Sequence, residues 1–330
     1  MESKKLFILR ILQILEKYSD ENHPLTQNQI IKFMEKDFDT ICERKAIGRN
    51  ISYLKEAGYD IENVGHNGVY LLSRKFESSE LSLLIDSVLA SKHIDKKHSG
   101  DLINKLIDEG GKYFVNTTNC IYYNKQWQKT DNKTVFYNIE ILNEAISEEK
   151  QVYFIYNQYD INKKLVPKRE KEYLVNPYKL LIHNQHYYLI SNNDNHSNIS
   201  YYRIDKITNI KKLNSVRKPE SELDKNVNLD IDKIDTALPY MFADEIKKIT
   251  LKCKILIIDD LVDWFGNTFT VIKADNEFIW VDIDASPKAM QYWAMQYCEL
   301  VEIIRPKKLR IKMAEMAANI NTVYNNENNI

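Results

Sequence analysis

The most informative stretch of the chain lies between residues 176 and 207 and holds three runs: Asn176-Pro177-Tyr178, Tyr187-Tyr188-Leu189 and Tyr202-Arg203-Ile204-Asp205-Lys206-Ile207. Aromatic and β-branched residues, which favour strands, dominate these runs. The runs belong to a wider strand-rich stretch, residues 151–213. We therefore predict that they form strands of one small sheet.

Alternation along these strands separates two faces, because successive side chains of a strand point to opposite sides. We expect one face to form the core, through Tyr187, Leu189, Tyr202 and Ile204. We expect the other face to be accessible and to carry His186, Tyr188, Tyr201 and Arg203.

The chemistry of the second face suits a nucleotide or a short nucleic acid. An aromatic ring can stack on a base while a guanidinium pairs with a phosphate through two hydrogen bonds. Four basic residues precede the runs and add positive charge: Lys163, Lys164, Lys168 and Arg169. The alternative is an ordinary tyrosine-rich sheet in which Arg203 forms a salt bridge with Asp205. The residues alone leave both interpretations open.

The three runs resemble the core sequence of the bacterial WYL domain. There, Pro-Tyr leads into a strand with Trp-Tyr-Leu, and a strand similar to Phe-Arg-Leu-Asp-Arg-Ile follows. Tyr187 stands at the usual Trp, and Lys206 at the usual second Arg, where it keeps the charge but loses the planar fork. The resemblance implies an Sm-like small β-barrel over residues 135–215 that senses a ligand. The ligand contacts that we predict are Tyr178, His186, Tyr188, Tyr201, Arg203 and Lys206.

Residues 1–75 show the pattern of three helices followed by a hairpin. Apolar residues recur at helical spacing from 5 to 18, a capping box at Thr26 and Gln29 starts a second helix, and a third runs from about 43 to 57. Two short strands around an Asn-Gly turn follow. This order predicts a winged helix-turn-helix, which binds DNA.

In the third helix, Ile47, Ile51 and Leu54 share one face, and the opposite face is polar. The string from Arg44 to Ile51 also resembles the Arg-Arg-Thr-Ile-x-Arg-Asp-Ile string of regulators of this type. We predict DNA contacts from this helix and from the hairpin turn: Arg44, Lys45, Gly48, Arg49, Ser52, His66 and Asn67. The alternative is a solvated helix face, since residues 1–75 hold 12 Lys and Arg against 11 Asp and Glu.

The rest of the chain divides into three further segments. Residues 76–134 are predicted to be a helical connector, 216–244 a linker and 245–330 a C-terminal α+β domain. This last domain resembles the extension that accompanies many WYL domains, through Trp293, the run 301–306 and Leu309-Arg310. Arg305 and Arg310 are candidates for contact with the ligand or with a partner subunit. The alternative is a generic dimerisation domain.

Composition excludes several classes of protein. The four cysteines form no CxxC pair, which argues against a disulfide framework or a zinc site and suits the cytoplasm. The eight glycines form no phosphate-binding loop. No apolar run reaches the roughly 18 residues that span a bilayer, and the start lacks a signal-peptide core. The net charge of −1 favours no class of partner.

We predict no enzyme, no catalytic residues, no metal and no cofactor. His183 and His186 lie three apart on a predicted strand, so they face opposite sides and cannot share a metal easily. A metal-dependent enzyme stays an alternative through the acidic residues Asp259, Asp260, Asp282 and Asp284.

Taken together, the sequence predicts a multi-domain α+β protein. The resemblance implies a homodimeric transcription regulator, and we expect a repressor that binds an inverted-repeat operator in double-stranded DNA. A nucleotide or a short nucleic acid would be its effector, and phage-defence or DNA-damage genes its targets. The alternative is a nucleic-acid-binding accessory subunit of a defence complex, without promoter specificity.

Overall fold

A computed structural model of the chain describes residues 6–114, 129–196, 198–223, 240–241 and 245–325. The fold is mixed α+β and divides into two compact units, residues 1–133 and 134–330. Among the described helices, none is both long enough and apolar enough to cross a membrane.

The first unit opens with three helices and a hairpin. They are α1 (Phe7–Tyr18), α2 (Gln27–Phe38), α3 (Arg44–Glu56), β1 (Ile61–Asn63) and β2 (Val69–Leu71). The predicted capping box is confirmed, since the Gln29 backbone N–H donates to Thr26 Oγ1 and the Thr26 N–H donates to Gln29 Oε1. One core joins the three helices and the hairpin, including Ile11, Leu15, Ile30, Met34, Ile47 and Leu54.

The hairpin is tied to the loop between α1 and α2. The Leu25 N–H donates to the Val69 carbonyl at 2.7 Å, and the Val69 N–H donates back to the Leu25 carbonyl at 2.9 Å. Leu25 thus adds a third, one-residue strand to the hairpin. Two further helices follow among the described residues of the unit, α4 (Ser78–Ala90) and α5 (Lys96–Glu109).

The second unit begins with α6 (Val135–Ser147) and a curled antiparallel sheet. Its strands are β3 (Lys150–Tyr159), β4 (Leu165–Pro167), β5 (Tyr173–His183), β6 (His186–Asn192), β7 (Ile199–Arg203) and β8 (Ile207–Val216). The strand order is β4-β3-β5-β6-β7, and β8 pairs with β3. Helix α6 packs on one face of the sheet, where Leu142 and Ala145 meet Val152, Phe154 and Leu189.

The C-terminal part of this unit is a second α+β layer. It contains β9 (Lys247–Lys254), α7 (Ile258–Phe265), β10 (Thr270–Ala274), β11 (Phe278–Ala285), α8 (Pro287–Gln296), β12 (Val301–Arg305) and α9 (Lys307–Asn325). The strands form an antiparallel sheet in the order β10-β11-β9-β12. Strand-like runs in the sequence at 249–258, 268–273 and 278–284 predict β9, β10 and β11, and the pattern after residue 286 predicts a helix, a strand and a last helix. No run predicts α7, and the first strand-like run extends to its first residue.

Candidate functional site

Helix α3 presents the face that the sequence predicts. Ile47, Ile51 and Leu54 are buried against the core of the first unit. The four polar side chains of the helix that we predict to contact DNA are exposed: Arg44, Lys45, Arg49 and Ser52. The amphipathic pattern therefore fixes which side of α3 is free to meet another molecule.

The start of α3 is held to the start of α2. Arg44 Nε donates to Gln27 Oε1 at 2.8 Å. A Cβ added to Gly48 would lie 3.1 Å from Gln27 Nε2, so the missing side chain lets the two helices approach closely. Gly48 is also one of the predicted DNA contacts, and that prediction is separate from its role in the approach of α2.

A depression of about 530 Å³ separates α3 from the hairpin. Arg44, Gly48, Ser52 and His66 line it together. Lys45, Arg49 and Asn67 do not line it, although the two basic residues share the exposed side of the helix with Ser52. Four of the seven predicted DNA contacts thus lie around one concave surface.

The hairpin reaches this position because Gly68 has no side chain. Its φ is +109°, and an added Cβ would lie 2.1 Å from the Leu25 carbonyl oxygen. A side chain at residue 68 would therefore break the Leu25–Val69 pairing.

In the second unit, both faces of the curled sheet carry apolar clusters. Leu189 and Ile204 are buried in the cluster that α6 covers, and Tyr187 and Tyr202 pack against it, as the alternation predicts. The second face was expected to be accessible, and the structure corrects this. There a second cluster forms, in which Leu223 and Met241 from beyond the sheet pack against four residues of its strands: Tyr178, Leu181, Ile190 and Ile199.

Several predicted ligand residues belong to this second cluster. Tyr178 is only 2% exposed, and its hydroxyl donates to the Lys218 carbonyl at 3.0 Å. Tyr188 and Tyr201 pack at the margin of the cluster, where burial raises the pKa of each phenol. His186 lies at the start of β6 and is half-buried. Tyr178 is therefore a core residue, while Tyr188 and Tyr201 keep part of their surface.

Arg203 lies directly opposite Tyr188 across β6 and β7. Its Nε and Nη2 donate to the two carboxylate oxygens of Asp205 at 3.0 and 2.7 Å. Asp205 is 3% exposed, so a buried carboxylate fixes the orientation of the guanidinium. The salt bridge is the one that the alternative interpretation of the sequence foresaw. It occupies one edge of the guanidinium fork and leaves the N–H groups of Nη1 for another acceptor.

Lys206 adds a second cation beside this pair. Burial lowers its pKa, and the neighbouring charges of Arg203 and Lys168 lower it further. Asp205 is the buried carboxylate that acts on both Arg203 and Lys206, and Lys168 adds a third positive charge near Lys206, so these four residues carry a net positive charge. Such a cluster suits an anionic group.

An aromatic group that the sequence reasoning missed lies on the other face of this sheet. Phe154, Tyr156, Tyr173 and Tyr202 hold their ring centroids 5.0–6.4 Å apart. The Arg169 guanidinium carbon lies 3.4 Å from the centre of the Tyr173 ring. The Tyr156 hydroxyl accepts from the Arg203 backbone N–H at 3.3 Å, and burial raises its pKa to about 12. The alternation of Phe154 and Tyr156 along one strand was the signal for this group.

Comparisons with known proteins agree with part of this description. The family model of the WYL domain matches residues 137–212. No curated protein matches the chain.

Several solved structures are similar to the chain, including the following two. One is proteasome accessory factor B/C (PafBC) of Arthrobacter aurescens, with 13% identity and a TM-score of 0.27. The match covers 94% of this chain, which spans about half, 47%, of the PafBC chain. The other is the crystal structure of a CRISPR Cas-related protein, with 14% identity, a TM-score of 0.39 and coverage of 99% of this chain and 88% of that one. The matched segment of the family model contains most of α6, most of the curled sheet and all three opening runs. Residues 137–212 of this chain are therefore a WYL domain.

Proposed function

We propose that the protein is a homodimeric DNA-binding transcription regulator, a repressor whose WYL domain senses a nucleotide or a short nucleic acid. The observation that carries the proposal is the exposed polar face of α3 beside the hairpin, in a chain that also holds a WYL domain. The order α1-α2-α3-β1-β2, with Leu25 as a third strand, supports a winged helix-turn-helix.

In this proposal α3 is the recognition helix and enters the major groove. Lys45, Arg49 and Ser52 contact base edges and phosphates, because they lie on the exposed face and can donate hydrogen bonds there. His66 and Asn67 at the hairpin turn meet the sugar-phosphate backbone next to the groove. One such helix reads only a few base pairs, so a dimer on an inverted repeat supplies the specificity.

The effector site in this proposal is centred on Arg203. Asp205 fixes the orientation of the guanidinium, and its remaining N–H groups bind a phosphate together with Lys206. Tyr188, opposite Arg203, offers part of its ring to a base. The proposed Sm-like barrel is supported by the curled sheet in which β3 pairs with both β5 and β8.

The test is footprinting of the full chain on the DNA upstream of its own gene, together with light scattering. We expect a dimer that protects an inverted repeat, with half-sites a whole number of turns apart, about 10–10.5 bp each. A monomer at micromolar concentration that leaves no footprint would contradict the proposal. Uniform protection of any DNA would instead favour an accessory subunit of a defence complex.

The proposal includes control of phage-defence or DNA-damage genes, and it includes no catalytic activity. Genes beside the operator identify the pathway. A nuclease assay with added Mg²⁺ or Mn²⁺ tests the absence of catalytic activity. Cleavage of nucleic acid that is lost when the metal is removed would contradict this part of the proposal.

A further inference from the structure

The C-terminal sheet has one face without a helix layer among the described residues. Its elements follow the order β9-α7-β10-β11-α8-β12, the split β-α-β arrangement, with β9 and β11 as the central strands. Helices α7 and α8 cover one face, and the side chains directed to them are buried, including Ile249, Leu251, Cys253, Ile279, Val281 and Ile283. The intervening residues of β9 and β11 point to the opposite face.

This opposite face, which we call the aromatic–lysine face, is defined by Lys252, Lys254, Lys273, Phe278 and Trp280. Phe278 and Trp280 are only half-buried, and their ring centroids lie 6.4 Å apart. Lys252 lies opposite Trp280 on β9, and Lys273 lies opposite it on β10. Lys254 lies opposite Phe278.

The ammonium groups of two of these lysines, Lys252 and Lys273, lie over the aromatic rings. Lys252 Nζ is 4.0 Å from the centre of the Phe278 ring and 5.5 Å from that of Trp280. Lys273 Nζ is 4.6 Å from the centre of the Trp280 ring. A cation–π contact at an exposed site is weaker than the stacking of a base on the same ring. A base can therefore displace the ammonium groups, which remain close enough to pair with the phosphates on either side.

Several acidic residues near this face have partners. Glu302 on β12 forms a salt bridge with Arg310 at 2.5 Å. Asp282 accepts a hydrogen bond from the Thr250 hydroxyl at 2.6 Å. Asp275 accepts from the backbone N–H groups of residues 277 and 278 in the β10–β11 turn, and its charge also acts on Lys273 and Lys252. Asp284 lies opposite Lys248 at the far end of the strand pair. The aromatic rings therefore lie among three lysines, two of which also interact with the Asp275 carboxylate.

We propose that the aromatic–lysine face binds single-stranded nucleic acid. Two neighbouring bases stack on Phe278 and Trp280, and the three lysines neutralise the phosphates. Four-stranded sheets that bind RNA use aromatic residues of their central strands in this way. Stacking on the rings and pairing of the lysines with phosphates do not involve the 2′-hydroxyl, so we expect DNA and RNA strands to bind with similar affinity. The site is separate from α3 and from Arg203, and it does not depend on the proposed function.

The test measures the affinity of the full chain for fluorescently labelled oligo(dT) and oligo(U) of equal length by anisotropy. We expect Trp280→Ala and Phe278→Ala each to weaken binding by about 5- to 150-fold, the loss of one stacked base. Trp280→Phe keeps a ring and should retain most of the affinity. Lys252→Ala should lower the slope of log K against log salt by about 0.7.

The matched control is Tyr292→Ala, which removes an exposed aromatic ring of α8 that does not belong to the aromatic–lysine face. It should bind as the unmodified protein does. Circular dichroism checks the fold of each variant, and ultraviolet crosslinking of the unmodified chain should label the peptide that contains Trp280.

The outcomes separate this proposal from the effector site at Arg203. If Arg203→Ala abolishes binding of the oligonucleotides while Trp280→Ala and Phe278→Ala leave it unchanged, the aromatic–lysine face is not a nucleic-acid site. The same conclusion follows if crosslinks map elsewhere. Loss of binding in the Trp280 and Phe278 variants, with operator binding intact, supports it.

Discussion

At the scale of single residues, the exposed cations of α3 are arranged so that one can be removed without disturbing the core. Arg49 lies away from the buried stripe of Ile47, Ile51 and Leu54. Its loss therefore creates no cavity, and any change in DNA binding reports a contact rather than a change in stability.

We expect Arg49→Ala to lose specific operator binding while folding and dimerisation stay intact. The loss of one good base contact costs about 1–3 kcal/mol. A gel-shift titration across a salt series measures it, with Lys32→Ala on α2 as a control that removes an exposed cation from another helix. If the Arg49 variant binds the operator as tightly as the unmodified chain at every salt concentration, α3 is not the recognition helix.

For Arg203, the sequence predicts the face of the strand on which the side chain lies but not the acceptor that it binds. Alternation placed it correctly on the side of Tyr188, and the two lie opposite each other. The bidentate pairing with Asp205 was only one of two interpretations, because a sequence does not tell which acceptor a guanidinium will choose. Tyr178 was misassigned for a similar reason. Its covering residues, Leu223 and Met241, come from more distant parts of the chain.

At the scale of elements, the hairpin of the first unit depends on one backbone contact. Leu25 pairs with Val69, and Gly68 lies against the Leu25 carbonyl. Gly65 at the hairpin turn also has a positive φ, +61°, but nothing lies within 4 Å of the position of its missing Cβ. Both glycines have a positive φ, but only Gly68 leaves no room for a side chain. Variants at the two positions therefore distinguish the effect of a steric clash from the effect of the backbone conformation.

We expect Gly68→Ala to destabilise the first unit by about 2–4 kcal/mol, through the clash and the strained φ together. Gly65→Asn is the control, because asparagine tolerates a left-handed conformation and the site is open. Urea unfolding, followed by fluorescence, compares the two. Equal stabilities of the Gly68 variant and the unmodified chain would show that the hairpin is not fixed at Leu25.

The elements with strong periodicity or clear end signals could be predicted, and the short or mixed ones could not. Thr26 and Gln29 mark the start of α2 through side-chain chemistry that is local in sequence. Helix α7 was missed because it is eight residues long and contains Ile258 and Val262, which favour strands. Its signal was the four-residue spacing of Leu261 and Phe265, which are both buried.

At the scale of the whole molecule, the proposed DNA-binding surface and the proposed effector site belong to different units. An effector can act on DNA binding only through a difference in its affinity for two states of the protein. Removal of Arg203, which anchors the effector in this proposal, should therefore abolish the release of DNA by effector and leave the affinity for DNA unchanged.

We expect Arg203→Ala to bind the operator nearly as the unmodified protein does, without release by effector. Tyr188→Ala should show the same defect in weaker form, since stacking is worth about 1–3 kcal/mol per base. The measurement titrates nucleotides and short single strands into protein–operator complexes. The control is Tyr292→Ala, which removes an exposed ring outside both proposed binding sites. If an effector releases the Arg203 variant and the unmodified chain equally, Arg203 has a structural role with Asp205.

The pairing of Leu25 with Val69 has a consequence for how such a protein can diversify. It anchors the turn end of the hairpin, where Val69 also pairs with Asn63, whereas the turn at Gly65–Asn67 forms no strand pairing. Insertions and replacements within the turn change its length and charge at little cost to the fold. Evolution, or a protein engineer, can thus alter these few turn residues freely as long as Gly68 is kept.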